Sequence, residues 1–286
     1  IAPIIPPSIG FVIFGVAGGV SVSKLFMAGI VPGVLMGVAI AFTWWLVTRK
    51  EGVKPPPKAT AAERVKALRE ALWALVLPVI VLVGLKFGVF TPTEAAVVAA
   101  VYALAVSTLV YRELKWHQLY DVFLSAGKTT AVVMFLVAAA MVSAWLITVA
   151  NIPTEVAKML EPFMGNKMLL MFIIMVLIVV VGTALDFTPT VLILTPVLMP
   201  IVRQAGIDPI YFGVLFIMNN AIGLITPPVG IVLNVVCGVA KVSMSQVIRG
   251  VNPFLLAQTG CLLLMVAFPQ IVIWPYRYFM GLPFRW

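Results

Sequence analysis

The sequence predicts an all-α polytopic membrane protein, with an inverted-topology repeat, broken helices and a re-entrant hairpin. Three observations predict it. Of 286 residues, 63% are hydrophobic and only 10% charged, where an ordinary soluble domain carries roughly 25% charged residues. The apolar residues come in runs of membrane-spanning length. Three of those runs are interrupted by proline and glycine, and two of the interruptions resemble each other. A single soluble core stops growing near this chain length and cannot bury so much apolar side chain. Soluble enzymes, nucleic-acid binders and disordered chains are therefore excluded.

A spanning helix takes about 20 apolar residues. Runs 25–48, 71–88, 93–111, 129–150 and 251–274 qualify as spans. Three more are broken: 1–20 by Pro6 and Pro7, 168–202 by Gly182 to Pro189, and 211–240 by Gly223 to Gly230. The chain accordingly divides into a first broken helix (1–20), a connecting span (21–48), and a basic linker with a surface helix (49–70). Spans with an amphipathic linker (71–128) follow, then a span and outside loop (129–167). The re-entrant hairpin (168–202), a second broken helix (203–240), and a last span with its tail (241–286) complete it. A break at membrane depth exposes N–H and C=O groups that lipid cannot satisfy, so it survives only where protein buries it or where it lines a cavity. The breaks are where function is sought.

The net charge of +9 reads as topology, because Lys and Arg collect on cytoplasmic loops. Segment 49–70 holds seven basic residues against three acidic ones, with a stiff triple proline at 55–57 and a short helix over 60–70. Segment 112–128 is basic and amphipathic, with Trp116 and Tyr120 suited to an interface. Placing both inside, together with 241–249, puts 12 of the 19 Lys and Arg residues on inside segments. Cys237 and Cys261 lie in apolar runs without disulfide or metal-ligand spacing, and His117 has no Cys or His neighbour. No transition metal is expected. The chain begins at Ile1 inside an apolar run and reads as a piece whose front is missing.

Ile-Ile-Pro-Pro-Ser-Ile-Gly at 4–10 resembles Ile-Thr-Pro-Pro-Val-Gly at 225–230. At one constant offset Pro6 and Pro7 match Pro227 and Pro228, Gly29 matches Gly250, and Pro32 matches Pro253. Counting spans between the two motifs gives them opposite directions. Inverted repeats with broken helices mark secondary transporters, whose sites lie at the breaks, although channels can also carry them.

At 182–196, Thr188 suits an N-cap with Pro189 at the first helical position. That half-helix would offer its positive end to an anion, and the carbonyls ending the preceding one would suit a cation. Asp186 is the only acid between 162 and 207. A carboxylate at membrane depth defaults to a site residue, with helix capping as its plainer role. At 219–230, Thr226 can cap a helix begun by Pro227, while Asn219, Asn220 and Thr226 add neutral oxygens of the kind a hard cation such as sodium takes. Ser8 is the hydroxyl at the matching first break. Thr91, Pro92 and Glu94 instead fit a structural capping box, and nearby Lys86 can snorkel.

At these residues the sequence resembles the large membrane subunit of tripartite ATP-independent periplasmic (TRAP) transporters. The resemblance rests on 4–9, Leu-Phe-Met-Ala-Gly-Ile-Val-Pro-Gly at 25–33, Gly-Val-Phe-Thr-Pro-Thr-Glu-Ala-Ala at 88–96, and Leu-Ile-Leu-Thr-Pro-Val-Leu-Met-Pro at 192–200. Gly-Ile-Asp-Pro-Ile-Tyr-Phe-Gly-Val at 206–214 and Ile-Gly-Leu-Ile-Thr-Pro-Pro-Val-Gly at 222–230 extend it. The wording is nearer the sugar-acid and sialic-acid branch than the dicarboxylate branch. The resemblance implies no enzyme and no cofactor, but an inner-membrane importer driven by sodium. A periplasmic binding protein delivers an organic acid, and a small membrane subunit braces the large one.

It further implies an elevator-type transporter, with 1–20, 168–202 and 203–240 in the moving transport domain. One sodium would lie among Gly182, Thr183, Asp186, Thr188, Gly223, Thr226 and Val229, and a second at Pro6, Pro7 and Ser8. Ser8, Thr188 and Thr226 would meet the substrate. The family's further N-terminal spans are missing here, so this piece alone is not expected to transport. A passive pore subunit and a non-transporting membrane scaffold are the alternatives. No nucleotide-binding loop is present, so neither ATP nor nucleic acid is an expected partner.

Overall fold

A computed structural model describes residues 2–50, 52, 57–227, 230–281 and 283. Among them, seven helices are long and apolar enough to cross a membrane, so the chain is a multi-pass membrane protein. The helices are α1 (Ile9–Gly18), α2 (Val22–Lys50), α3 (Ala61–Lys86), α4 (Pro92–Ala105), α5 (Leu119–Val149) and α6 (Ile152–Leu160). They continue as α7 (Lys167–Ala184), α8 (Phe187–Gln204), α9 (Pro209–Gly223), α10 (Ile231–Ala240), α11 (Met244–Ala267) and α12 (Gln270–Phe279). A turn of π-helix at Val106–Val110 prolongs α4, and a 3-10 turn at Trp116–Gln118 precedes α5.

Three elements depart from the sequence reading. The surface helix over 60–70 does not stop at 70, because α3 runs unbroken from Ala61 to Lys86. Thr60 and Glu63 start it with a reciprocal capping box, and the helix continues through Pro78. The amphipathic linker over 112–128 is also not a separate element, since 119–128 is the opening of the 31-residue α5. The last span starts before 251, because Ser243 and Gln246 form another capping box that opens α11 at Met244. Hydropathy falls where polar residues enter a helix, yet the helix continues as long as its hydrogen-bond ladder does. The capping box at Thr91 and Glu94 is present as expected, with Pro92 in the first turn.

The chain forms two compact units. Thr48–Met134 is one. Within it α3 packs on α4, and the Tyr102 hydroxyl donates to the Trp73 carbonyl at 2.8 Å. Ile1–Val47 together with Phe135–Trp286 is the other, and it holds most of the buried core. Its centre is α9, buried continuously from Ile210 to Asn220 because it is apolar on every face. Around it stand α1, α7, α8 and α11. Phe14 of α1 packs against Phe212 and Phe216 of α9, with ring centroids 6.0 and 5.5 Å apart.

α1 and α10 have 10 residues each, about 15 Å of helix, or half of a hydrocarbon core about 30 Å thick. They are half-helices, so their ends fall where backbone groups need partners from the protein. α1 ends at Gly18 with Gly19 left-handed at φ 61°. The Arg203 guanidinium at the end of α8 donates to the Gly18 carbonyl at 2.9 Å. This clip holds α1 and α8 side by side at one end. Arg203→Ala is expected to lower stability by ~1 kcal/mol, measured as a fall in the melting temperature of the purified protein.

Candidate functional site

At the other end of the same pair, α1 begins on Ser8. Its hydroxyl accepts from the Phe11 N–H at 3.3 Å and donates to the Pro3 carbonyl. Ser8 is 2% exposed, so this predicted site hydroxyl is engaged as the cap of the first break. The Pro6–Pro7 peptide bond just before it is cis. α7 and α8 are separated only by Leu185 and Asp186. The N-cap of α8 is Asp186 and not Thr188: its Oδ1 accepts from the Phe187 N–H at 2.7 Å. Its carbonyl accepts from Thr190 through both the N–H at 3.1 Å and the hydroxyl at 2.8 Å. Both residues satisfy the capping preference. Aspartate wins because Pro189 is tolerated anywhere in the first turn, where the N–H it lacks would have no helical partner. Thr188 and Pro189 are the second and third residues of α8.

α9 brings these ends together. Asn219 donates its amide to the Met175 carbonyl of α7, and Asn220 donates to the Phe187 carbonyl of α8 at 3.0 Å. The Asn220 Oδ1 faces Gly182, where a Cβ would lie 3.1 Å from it. That oxygen is buried and has no hydrogen-bond partner among the described residues. Gly223 rests directly on Gly182: a Cβ at Gly223 would lie 3.0 Å from the Gly182 carbonyl carbon and 3.2 Å from its oxygen. On the far side of Phe187, its ring covers Gly10 of α1, 2.6 Å from where a Cβ would be. Gly10, Phe187, Asn220, Gly182 and Gly223 thus form one chain of contacts. It joins the N-terminal ends of α1 and α8 to the C-terminal ends of α7 and α9.

Two helix N-termini and two C-termini in one place offer opposite partial charges, roughly +0.5 and −0.5 of an elementary charge per end. The carbonyls that close α9 at Asn220, Ile222 and Gly223 each accept one N–H from the turn that follows, at 3.2, 3.1 and 3.0 Å, and a carbonyl oxygen has a second lone pair. Two threonines complete the oxygen set. The Thr183 hydroxyl donates to the Val180 carbonyl at 2.8 Å, and the Thr226 hydroxyl donates to the Ile222 carbonyl at 2.7 Å. Each proton is turned back into its own helix, leaving oxygen lone pairs to face outward. Thr226 does not cap the next helix. It lies in a turn whose N–H groups return to Ile222 and Gly223 at 3.1 and 3.0 Å, and α10 starts later, at Ile231, behind a left-handed Gly230. Val229 and Pro228 lie outside the described residues.

Of the predicted residues, the structure brings Gly182 and Gly223 into contact. It places Thr183, Asp186 and Thr188 along the α7–α8 connection and Thr226 just past Gly223. Ser8 is the N-cap of α1, whose Gly10 lies against the Phe187 ring. Asn220, which the sequence offers as a neutral oxygen beside Asn219 and Thr226, stands outside the sodium set that the resemblance implies. Its signal was available: adjacent amides in a run without charge must find partners when buried.

A model of the family described as "Tripartite ATP-independent periplasmic transporter, DctM component" matches residues 1–271. The chain belongs to this family. It is a family of transporters and not of enzymes. Over 278 residues the chain is 54% identical to the 2,3-diketo-L-gulonate TRAP transporter large permease of Escherichia coli, covering 97% of this chain and 65% of that protein. It is 36% identical over 281 residues to the sialic acid TRAP transporter large permease of Vibrio cholerae, with 98% and 66% covered. With the isethionate TRAP transporter permease of Oleidesulfovibrio alaskensis it shares 39% over 273 residues, 95% of this chain and 43% of that protein. The chain therefore spans about two thirds of the length of the large permeases it matches.

Proposed function

We propose that this chain carries the transport core of a sodium-coupled importer of an organic acid, working with a periplasmic binding protein and a small membrane subunit in a bacterial inner membrane. The observation that carries the reading is the orphaned Asn220 Oδ1, which faces Gly182 where Gly182 and Gly223 meet, among four helix ends. A buried acceptor without a donor is destabilising by about 1–3 kcal/mol, and a cation removes that penalty. The surrounding oxygens are carbonyl, hydroxyl and amide, the neutral hard donors that an alkali ion prefers to a transition metal.

Sodium, as co-transported substrate, would be held by the carbonyls of Gly182 and Gly223, the hydroxyls of Thr183 and Thr226, and Asn220, with Asp186 supplying charge. The second ion belongs to the first break, at Pro6 to Ser8. The acid's carboxylate would face the N-terminal ends of α1 and α8, beside Ser8, Thr188 and Thr226. The matched relatives are named for diketogulonate, sialic acid and isethionate. All three are acids, and a sugar acid is the substrate class we assign. The movement we assign is that of an elevator, with 1–20, 168–202 and 203–240 in the transport domain.

The test is uptake by proteoliposomes holding the complete native permease, its small subunit and the binding protein. Uptake should collapse when the sodium gradient is removed. Conductance without saturation would instead identify a pore. Asp186→Asn keeps a capping side chain and removes the charge. It is expected to raise the sodium concentration for half-maximal uptake about ten-fold, equivalent to ~1.4 kcal/mol. An unchanged sodium dependence would leave Asp186 as a helix cap alone.

A further inference from the structure

Away from the four helix ends, a cavity of ≈ 260 Å³ opens where Lys167 of α7, the Gly206–Asp208 turn, Ala267 at the end of α11 and Arg277 of α12 meet. A second cavity of ≈ 400 Å³ runs between α7 and α11 over Leu169, Phe172 and Leu263. The two share Met168, Val266 and Ala267 as walls. Together they make a crevice with a polar head and an apolar groove.

The charges in the head compartment are unequal. Asp208 is fully engaged: Oδ1 accepts from the N–H groups of Ile210 and Tyr211 at 2.7 and 3.3 Å, and Oδ2 takes the Tyr276 hydroxyl and the Arg277 guanidinium. Burial and Asp208 push the Tyr276 hydroxyl up to about 12, so it stays a donor. Lys167 has no carboxylate partner among the described residues, and its ammonium rests on the Gly206 carbonyl at 2.9 Å. It is also the first residue of α7, where the positive helix end disfavours a cation. An anion placed there relieves both.

The level of the crevice is that of a membrane surface. Lys167 opens one spanning helix and Ala267 closes another. Beside them α12 exposes Trp274 and Tyr278, the aromatic residues of bilayer interfaces. We propose that this crevice binds an acidic phospholipid. Its phosphate sits at Lys167 with Arg277 behind it, and an acyl chain lies in the groove between α7 and α11.

The experiment is native mass spectrometry of the delipidated, complete permease complex with added phosphatidylglycerol or phosphatidylcholine of identical chains. Phosphatidylglycerol should be retained preferentially. Lys167→Gln should reduce that preference about five-fold, the effect of one cation near a membrane surface. Lys158→Gln, on an exposed lysine paired with Glu155, should leave it unchanged. Ala267→Phe, on the shared wall, should reduce retention of both lipids while the melting temperature in detergent confirms folding. Equal retention of the two lipids, or a preference that Lys167→Gln does not move, overturns the proposal. So does inorganic phosphate alone stabilising the complex as much as phosphatidylglycerol does.

Discussion

Gly223→Val is expected to abolish sodium-driven uptake and to destabilise the protein by ~1–3 kcal/mol, the usual cost of forcing volume into a packed contact. The cost arises because the obstacle is backbone. A Cβ at Gly223 meets the carbonyl carbon, Cα and oxygen of Gly182 at 3.0, 3.1 and 3.2 Å, and none of these can change rotamer. α7 and α9 must separate, and the carbonyls at their ends separate with them. Gly260→Val on α11 is the matched control, since nothing lies within 4 Å of a Cβ there. It removes a helix glycine and should be neutral or slightly stabilising. Uptake assays and thermal unfolding of both variants check this. A Gly223 variant with wild-type melting and uptake would mean that the close approach of α7 and α9 is dispensable.

The breaks were legible because proline and glycine act locally. The Pro6–Pro7 pair and the Leu185–Asp186 turn fall inside the stretches where proline and glycine cluster, so α1, α7 and α8 lie close to where the sequence puts them, whereas the single prolines Pro32, Pro78 and Pro253 stay inside helices. The capping box at Thr91 was equally readable, being a contact between residues three apart. The same chemistry at Thr60 and Ser243 passed unread because a hydropathy window ends at polar residues. α3 and α11 keep their backbone ladders through them.

The site was less legible. Thr188 and Asp186 are both lawful N-caps, and the choice depends on where α7 stops. Asn220 acquires its meaning only when α7 presents Gly182 to one side of its amide and α8 presents the Phe187 carbonyl to the other. Those partners are 38 and 33 positions away in the chain. No periodicity reports such a meeting.

Asn220→Leu is the substitution that separates a sodium ligand from a structural amide. The two side chains have similar volume, so little cavity or strain is introduced. In sodium-free buffer the variant loses the hydrogen bond to Phe187, worth ~1 kcal/mol. It also loses the unpaired buried oxygen, whose removal offsets part of that loss. Its melting temperature without sodium should therefore stay near the wild-type value. Sodium should then act on the two proteins differently. An ion that binds only the folded wild type at 100 times its dissociation constant stabilises it by ~2.7 kcal/mol, and the leucine variant should show almost none of that gain. Uptake at any sodium concentration should fall with it. If Asn220 only braces α8 against α9, the opposite pattern follows: the variant melts lower in both buffers, and sodium raises both proteins equally. Asn219→Leu provides the comparison, because Asn219 donates to Met175 one helical turn and more from the Gly182 contact. It should lose stability and keep its response to sodium.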